Sequence, residues 1–195
     1  MAVPTVVKVT KQVNLTRIKD NTQLLKENNE MIIREVRSSE AENFIYLSKQ
    51  VEDNSEFMLW EPGERNIKPE QQKKMIENMY KNENSTILVA ESENELVGFL
   101  VVIGGSAKRN RHSAYIVIGI LEEYRGKGVG TKLFEALESW ASQKNIHRLE
   151  LTVVTQNKAG LSLYKKMGFE NEGIKRHSLF IKGKFVDEYY MSKLI

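Results

Sequence analysis

One stretch near the middle of the chain, residues 116–132, constrains the fold more than any other. It reads Ile-Val-Ile-Gly-Ile-Leu-Glu-Glu-Tyr-Arg-Gly-Lys-Gly-Val-Gly-Thr-Lys. The apolar, largely β-branched run 115–121 predicts a buried strand, and three glycines at alternate positions from residue 126 follow it. Behind them, apolar residues at helical spacing predict an amphipathic helix: Val129, Leu133, Leu137, Trp140 and Ala141. The sequence therefore predicts a strand, a glycine turn and a helix in direct succession.

Such a turn is suited to binding phosphate, because the first N–H groups of a helix lack intrahelical partners and the helix dipole favours negative charge there. A Walker loop is excluded, since no glycine-lysine pair in the chain is followed by serine or threonine. A Rossmann turn would need its third glycine where Thr131 or Leu133 stands. The remaining pattern is Arg125-x-x-Gly128-x-Gly130.

A second pattern follows about thirty residues later. Alternating apolar residues in 147–155 predict another strand, after which Asn157 takes a helix-capping position. The helix runs to Met167 and ends at Gly168, as expected for a glycine C-cap. Asn157 and Tyr164 are seven residues apart and therefore share one helix face, within about 20°.

The two patterns together resemble the cofactor motifs of the GCN5-related N-acetyltransferases (GNAT), which bind acetyl-coenzyme A. The second motif reads Asn157-x-Ala159-x-x-x-Leu163-Tyr164-x-x-x-Gly168-Phe169. The resemblance covers residues 31–195 and implies an α/β domain with a mixed, mainly antiparallel sheet flanked by helices. Residues 1–30 are then an N-terminal extension.

The resemblance also implies which residues hold acetyl-CoA. Backbone amides of the glycine turn face the pyrophosphate, where a Cβ would hold the phosphates away. The end of the preceding strand pairs with the pantetheine arm, and the asparagine of the second motif touches that arm. The implied cofactor set is Ile120, Leu121, Arg125, Gly126, Lys127, Gly128, Val129, Gly130, Thr131, Asn157 and Tyr164. No metal is implied.

Acetyl transfer to an amine requires a clamped thioester, a neutral amine and a proton donor for the departing thiolate. By resemblance, the hydroxyl of Tyr164 faces the coenzyme sulfur and is the predicted donor. The alternative is an aromatic side chain on the core face of an amphipathic helix. The register with Asn157 favours the catalytic interpretation.

The general base is left open by the sequence. The ribosomal-protein alanine acetyltransferases, which the chain resembles in outline, carry a glutamate where Thr152 stands, and threonine does not take up the proton. Glu150, on the same strand face, and Glu122 are the first candidates for a carboxylate that acts through water. Glu61 and Glu64 rank after them.

The pattern predicts an acetyl-CoA-dependent N-acetyltransferase that acetylates a primary amine of a small molecule or peptide. Transfer is direct, because the chain has no cysteine and no Gly-x-Ser-x-Gly turn to form an acyl-enzyme. One alternative is a noncatalytic coenzyme A-binding regulatory module. Another is a nucleotide-binding oxidoreductase with Glu150 on a ribose, which the glycine register disfavours.

Length, composition and charge limit the number of domains and the kinds of partner that this protein can have. The 195 residues suit one domain, and a formal net charge of +3 is too small for a nucleic-acid-binding surface. No apolar run is long enough to cross a membrane, and no secretory signal is visible, so we expect a cytoplasmic protein without membrane partners. Short strand-like pieces in residues 6–18 are predicted to pack on the domain or on a second subunit, as in a homodimer.

The other predicted elements surround the two motifs. Residues 31–36 predict a first strand, with Ser38 or Ser39 capping a helix that runs through Val51. Residues 53–69 form a predicted loop rich in bulky side chains, which either wall an acceptor site or fold onto the core. A helix from Pro69 to Tyr80 follows. Strands are predicted at 86–90, 95–103, 169–174 and 185–194.

Overall fold

The computed structural model of this protein describes residues 31–195. The predicted strand-like pieces of residues 6–18 and their contact with a second subunit lie outside the described residues. Seven strands form one sheet: β1 Ile32–Glu35, β2 Thr86–Ser92, β3 Glu95–Gly104, β4 Ser113–Ile120, β5 Arg148–Val154, β6 Glu170–Ile181 and β7 Lys184–Leu194. The helices are α1 Ala41–Asp53, α2 Pro69–Lys81, α3 Val129–Gln143 and α4 Lys158–Lys166.

The sheet is mixed and mainly antiparallel, as predicted. Its strand order is β1-β2-β3-β4-β5-β7-β6, and the only parallel pair in residues 31–195 is β4 with β5. Helix α3 connects these two parallel strands, as a crossover must. Its core-facing residues are all buried: Val129, Leu133, Phe134, Leu137 and Ala141.

The parallel pair opens into a slot. Residues 113–115 of β4 pair with 148–150 of β5, and beyond that point the strands diverge. Gly105 donates its N–H to the Ser113 carbonyl, and Leu121 donates to Val97, so the odd-numbered residues of β4 pair with β3. Backbone groups of the even-numbered residues then face β5 across the gap: Ile116, Ile118 and Ile120. We call this gap the β4–β5 slot.

Two details differ from the sequence-based expectations. Neither Ser38 nor Ser39 caps α1: residues 38–40 form a 3₁₀ turn, and the Glu40 carboxylate accepts the Arg37 N–H at 2.8 Å. Both serines lie inside this turn, so the capping positions fall on Arg37 before the turn and on Glu40 before α1. Strand β6 continues to Ile181 instead of ending near 174, because it pairs with β7 along most of its length through two irregularities in register.

No helix of residues 31–195 is both long enough and apolar enough to cross a membrane. In the same part of the chain, no three histidine, aspartate or glutamate side chains lie close enough together to hold a metal ion.

Candidate active site

A cavity of about 1500 Å³ opens over the β4–β5 slot. One wall is α1, the loop that follows it and the start of α2, and the facing wall is the β6–β7 hairpin. The glycine turn and α4 close the end next to the slot. Of the implied cofactor residues, the structure brings nine to this cavity and leaves Leu121 and Lys127 outside its lining: Ile120, Arg125, Gly126, Gly128, Val129, Gly130, Thr131, Asn157 and Tyr164.

The glycine turn presents a row of unpaired donors. In the described part of the chain, none of the six N–H groups from residue 126 to residue 131 has a hydrogen-bond acceptor, and α3 makes its first helical bond from the Lys132 N–H to the Gly128 carbonyl at 3.1 Å. Gly126 and Gly128 have φ of 72° and 83°, a region that favours glycine. Six free donors at the positive end of a helix dipole are suited to hold a pyrophosphate.

Gly130 has a different role from the other two glycines. It is buried, and a Cβ at this position would lie 2.6 Å from Cδ2 of Leu163 and 3.3 Å from Cδ1 of Ile120. The missing side chain therefore lets α3 pack closely on α4, whereas Gly126 and Gly128 face open space.

Charged side chains surround the turn in ways that the motif did not indicate. Arg125 donates to the carbonyls of Ile120 at 3.1 Å and Asn54 at 3.2 Å, which ties the end of β4 to the end of α1. Lys166 donates to Thr131 Oγ1 at 3.1 Å and lines the cavity. Lys166 is thus a cation beside the glycine turn that the sequence analysis did not name. Its position two residues after Tyr164, on the same helix, could have indicated it.

Asn157 caps α4 as predicted. Its Oδ1 accepts the Gly160 N–H at 2.9 Å, and a Cβ on Gly160 would lie 2.9 Å from the Asn157 Nδ2. The side-chain NH₂ group is not used by the cap, so a donor remains at the edge of the cavity.

Tyr164 packs in the core and also borders the cavity. Its ring packs edge-on against Phe134 at 5.9 Å and lies 6.1 Å from Phe169, and only 8% of the residue is exposed. The residue nevertheless lines the cavity. Burial raises the pKa of Tyr164 above its ordinary value, so the hydroxyl keeps its proton at neutral pH.

The four carboxylates proposed from the sequence do not line the cavity. Glu150 accepts from Arg148 Nε at 2.8 Å, and Arg148 also binds Glu172. Glu122 lies exposed in a 3₁₀ turn. Glu61 and Glu64 are exposed and close a loop turn, in which the Glu61 N–H donates to the other carboxylate at 3.0 Å. Thr152 does face the cavity, with its Oγ1 2.8 Å from the Tyr115 hydroxyl.

Two other carboxylates lie in the cavity wall, and both are buried. Glu52, at the end of α1, is 5% exposed and pairs with Arg65. Glu188, on β7 opposite Val154, is 7% exposed, and Lys175 donates to its Oε2 at 3.2 Å. Sequence reasoning missed them because a glutamate at a helix end or within a strand usually faces water.

The loop rich in bulky side chains, residues 53–69, both packs onto the core and lines the cavity. Met58 packs against the core, whereas Leu59 is 66% and Trp60 39% exposed. All three line the cavity. Arg65 lies over the Trp60 ring at 5.6 Å.

Known proteins resemble this chain in sequence and in structure. Residues 51–169 match the model of the acetyltransferase (GNAT) family. An L-amino acid N-acetyltransferase of Escherichia coli K12 is 32% identical over 108 residues, which cover 55% of this chain and 67% of that one. A spermidine N(1)-acetyltransferase of the same strain is 30% identical over 98 residues, 50% of this chain and about half, 52%, of the relative.

Solved structures show the same fold. A GNAT acetyltransferase from Streptococcus pneumoniae superposes with a TM-score of 0.82 and 30% identity, covering 85% of this chain and 99% of that one. Salmonella typhimurium yncA, solved with its cofactor acetyl-CoA, gives a TM-score of 0.76 at 18% identity and covers 85% and 94% of the two chains. The predicted fold and enzyme class are confirmed, and the chain belongs to the GNAT family of N-acetyltransferases.

Proposed function

We propose that this protein binds acetyl-CoA and transfers its acetyl group directly to the primary amine of a small molecule. The observation that carries the proposal is the row of six unpaired N–H groups at residues 126–131, in a cavity that Tyr164 also lines. A noncatalytic coenzyme A-binding module would need the same turn but would have no use for a protonated hydroxyl in the cavity. No observation favours that alternative.

The chain offers three sets of contacts to the cosubstrate. The glycine turn and Lys166 hold the pyrophosphate, since both place donors at one point. The free backbone groups of Ile116 and Ile118 pair with the pantetheine amides as an added strand would. The free NH₂ group of Asn157 donates to the same arm.

The chemistry is an aminolysis of the thioester. The neutral amine attacks the carbonyl carbon and forms the C–N bond, while a backbone N–H of the slot stabilises the developing oxyanion. As the C–S bond breaks, the thiolate takes the proton of Tyr164, and the nitrogen loses its extra proton to a base. A tyrosine hydroxyl is protonated at neutral pH, so the donor carries its proton before each turnover.

The structure favours Glu188 as that base over the residues proposed from the sequence. Its carboxylate is buried in the cavity wall, and Lys175 occupies only one of its oxygens. Glu150 is held by Arg148 outside the cavity lining, and Glu122 is exposed. A base must reach the amine directly or through one water, and Glu188 borders the cavity in which the amine would bind.

The acceptor, the cellular compartment and the partners of this protein are proposals. The names of the relatives, which act on L-amino acids and on spermidine, support a small-molecule amine more than a peptide N-terminus. A chain without cysteine is compatible with the reducing cytoplasm, which we propose as its compartment. A homodimer, and the lack of nucleic-acid or membrane partners, stay predictions.

The proposal is tested by Gly128→Glu with Gly183→Glu as the matched control. Both glycines have positive φ, 83° and 77°, and open space where a Cβ would stand, so both variants carry similar backbone strain. Only residue 128 faces the proposed pyrophosphate, where a like charge costs several kcal/mol. Calorimetry with acetyl-CoA should show affinity falling at least ~100-fold in the first variant and unchanged in the control. Equal affinity in both would remove the turn from the site.

A further inference from the structure

The part of the cavity lined by α1, the start of α2 and the β6–β7 hairpin carries charges of both signs. We call it the acceptor end and define it by Glu52, Trp60, Arg65, Gln72, Lys175, Ser178 and Glu188, all of which line the cavity. Its two walls are joined by an ion pair between Glu56, after α1, and Lys182, in the turn of the β6–β7 hairpin. Both buried carboxylates of this end already have a cation: Arg65 binds Glu52, and Lys175 binds Glu188.

Three buried polar atoms at this end have no hydrogen-bond partner among residues 31–195. All of them belong to acceptor-end residues: Arg65 Nε and Gln72 Nε2, which only donate, and Ser178 Oγ, which can donate or accept. Gln72 is only 2% exposed. An unpaired buried donor costs about 1–3 kcal/mol, so a folded protein rarely keeps one without a use for it.

We propose that the acceptor is a small amine that also bears a carboxylate, such as an amino acid, and that Arg65 and Gln72 bind that carboxylate. This rests on the proposed function and names its acceptor. The guanidinium of Arg65 gives one nitrogen to Glu52 and keeps Nε free, and Gln72 adds a neutral donor. A carboxylate supplies the oxygens that these donors lack, and its charge is the sign that a guanidinium prefers.

The charged groups at the acceptor end also disfavour a polyamine as the acceptor. A polycation would need carboxylates without a partner, and the acceptor end has none of these among the described residues, since both of its glutamates are paired. The ammonium group of a zwitterion needs only one such oxygen. Glu188 offers it through the carboxylate oxygen that Lys175 does not bind.

The first experiment compares acceptors on the full-length protein, after calorimetry has established acetyl-CoA binding. Acetyl-CoA consumption is measured with the twenty L-amino acids, with the matching amino-acid amides and with spermidine. We expect at least one amino acid to be acetylated with a kcat/KM ten or more times that of its amide, because only the carboxylate engages both donors. Equal rates for acid and amide, a preference for spermidine, or no acetylated amino acid would overturn the proposal. With acetyl-CoA binding intact, those outcomes leave the acetyltransferase assignment standing.

The second experiment tests the two residues. Arg65→Lys keeps a cation for Glu52 but loses the Nε donor, so KM for the amino acid should rise about tenfold or more while KM for acetyl-CoA is unchanged. Arg109→Lys, an exposed arginine in the loop before β4, is the control and should leave both constants unchanged.

Gln72→Met removes the unpaired donor with little change in volume. Unfolding temperature should stay equal or rise, since a desolvated donor is lost, while KM for the amino acid increases. A lower unfolding temperature with unchanged KM would show that Gln72 serves the core instead and would overturn its role in the site.

Discussion

Tyr164 is the single residue on which turnover should depend most. Tyr164→Phe keeps the ring contacts with Phe134 and Phe169 and deletes only the hydroxyl, so kcat should fall roughly 10- to 1000-fold. The affinity for acetyl-CoA and the unfolding temperature should hardly change. Tyr46→Phe, at a tyrosine 64% exposed on α1, is the control. A parallel loss of stability and activity would instead mark Tyr164 as a packing residue.

The pH dependence of turnover separates the acid from the base. Because burial raises the pKa of Tyr164 above about 10, this donor stays protonated and adds no decline below that pH. A carboxylate base makes kcat rise with pH, and Glu188→Gln should flatten that rise at saturating acetyl-CoA. Glu150→Gln is the matched change outside the cavity lining and should keep the wild-type profile. A flat profile in Glu150→Gln alone would return the role to that residue.

Among the elements, the contact between α3 and α4 depends on Gly130. In Gly130→Ala the new Cβ would meet Leu163 Cδ2 at 2.6 Å, and overpacking of this kind destabilises by about 1–3 kcal/mol. Urea unfolding should show this loss, and Leu163→Val in the same chain should recover part of it by shortening the opposing side chain. If Gly130→Ala is as stable as wild type but binds acetyl-CoA less well, the glycine serves the phosphate and not the packing.

Across the whole molecule, Arg148 joins β5 to β6 by binding Glu150 and Glu172. Hydrogen bonds from Arg148 lower the pKa of Glu172 to about 2, from an ordinary value of about 4.3. A lowered folded-state pKa means that this stabilisation is full above the unfolded-state pKa and is lost as the pH falls through about 2. Unfolding temperatures measured from pH 6 to pH 2 should therefore decline less steeply in Glu172→Gln than in wild type.

Glu135→Gln provides the comparison for that titration. Glu135 is exposed on α3 and has no ion pair in the part of the chain that the structure describes. Its replacement should leave the pH dependence of the unfolding temperature as in wild type. Identical curves for all three proteins would mean that the bridge between β5 and β6 does not contribute to acid stability.

The features of this protein that could be predicted from the sequence are those that depend on residues close together in the chain. The glycine turn, the asparagine cap of α4 and the glycine after it each depend on neighbours within a few residues, and the structure has them where they were predicted. The periodicity of apolar residues likewise placed the strands and helices, apart from the cap of α1 and the length of β6. Short-range hydrogen bonds and burial of one face are enough to specify such features.

The composition of the cavity wall depends on contacts between distant parts of the chain. Glu188 lies in the cavity wall because β7 pairs with β5, where its partner Val154 is 34 positions earlier in the chain. Glu150 lies outside the cavity lining. Its carboxylate accepts a hydrogen bond from Arg148, which also binds Glu172. A glutamate has the same local pattern whether it faces water or a buried cavity. Only the packing of strands and helices determines which of them is desolvated, and so which carboxylates and donors can meet a substrate.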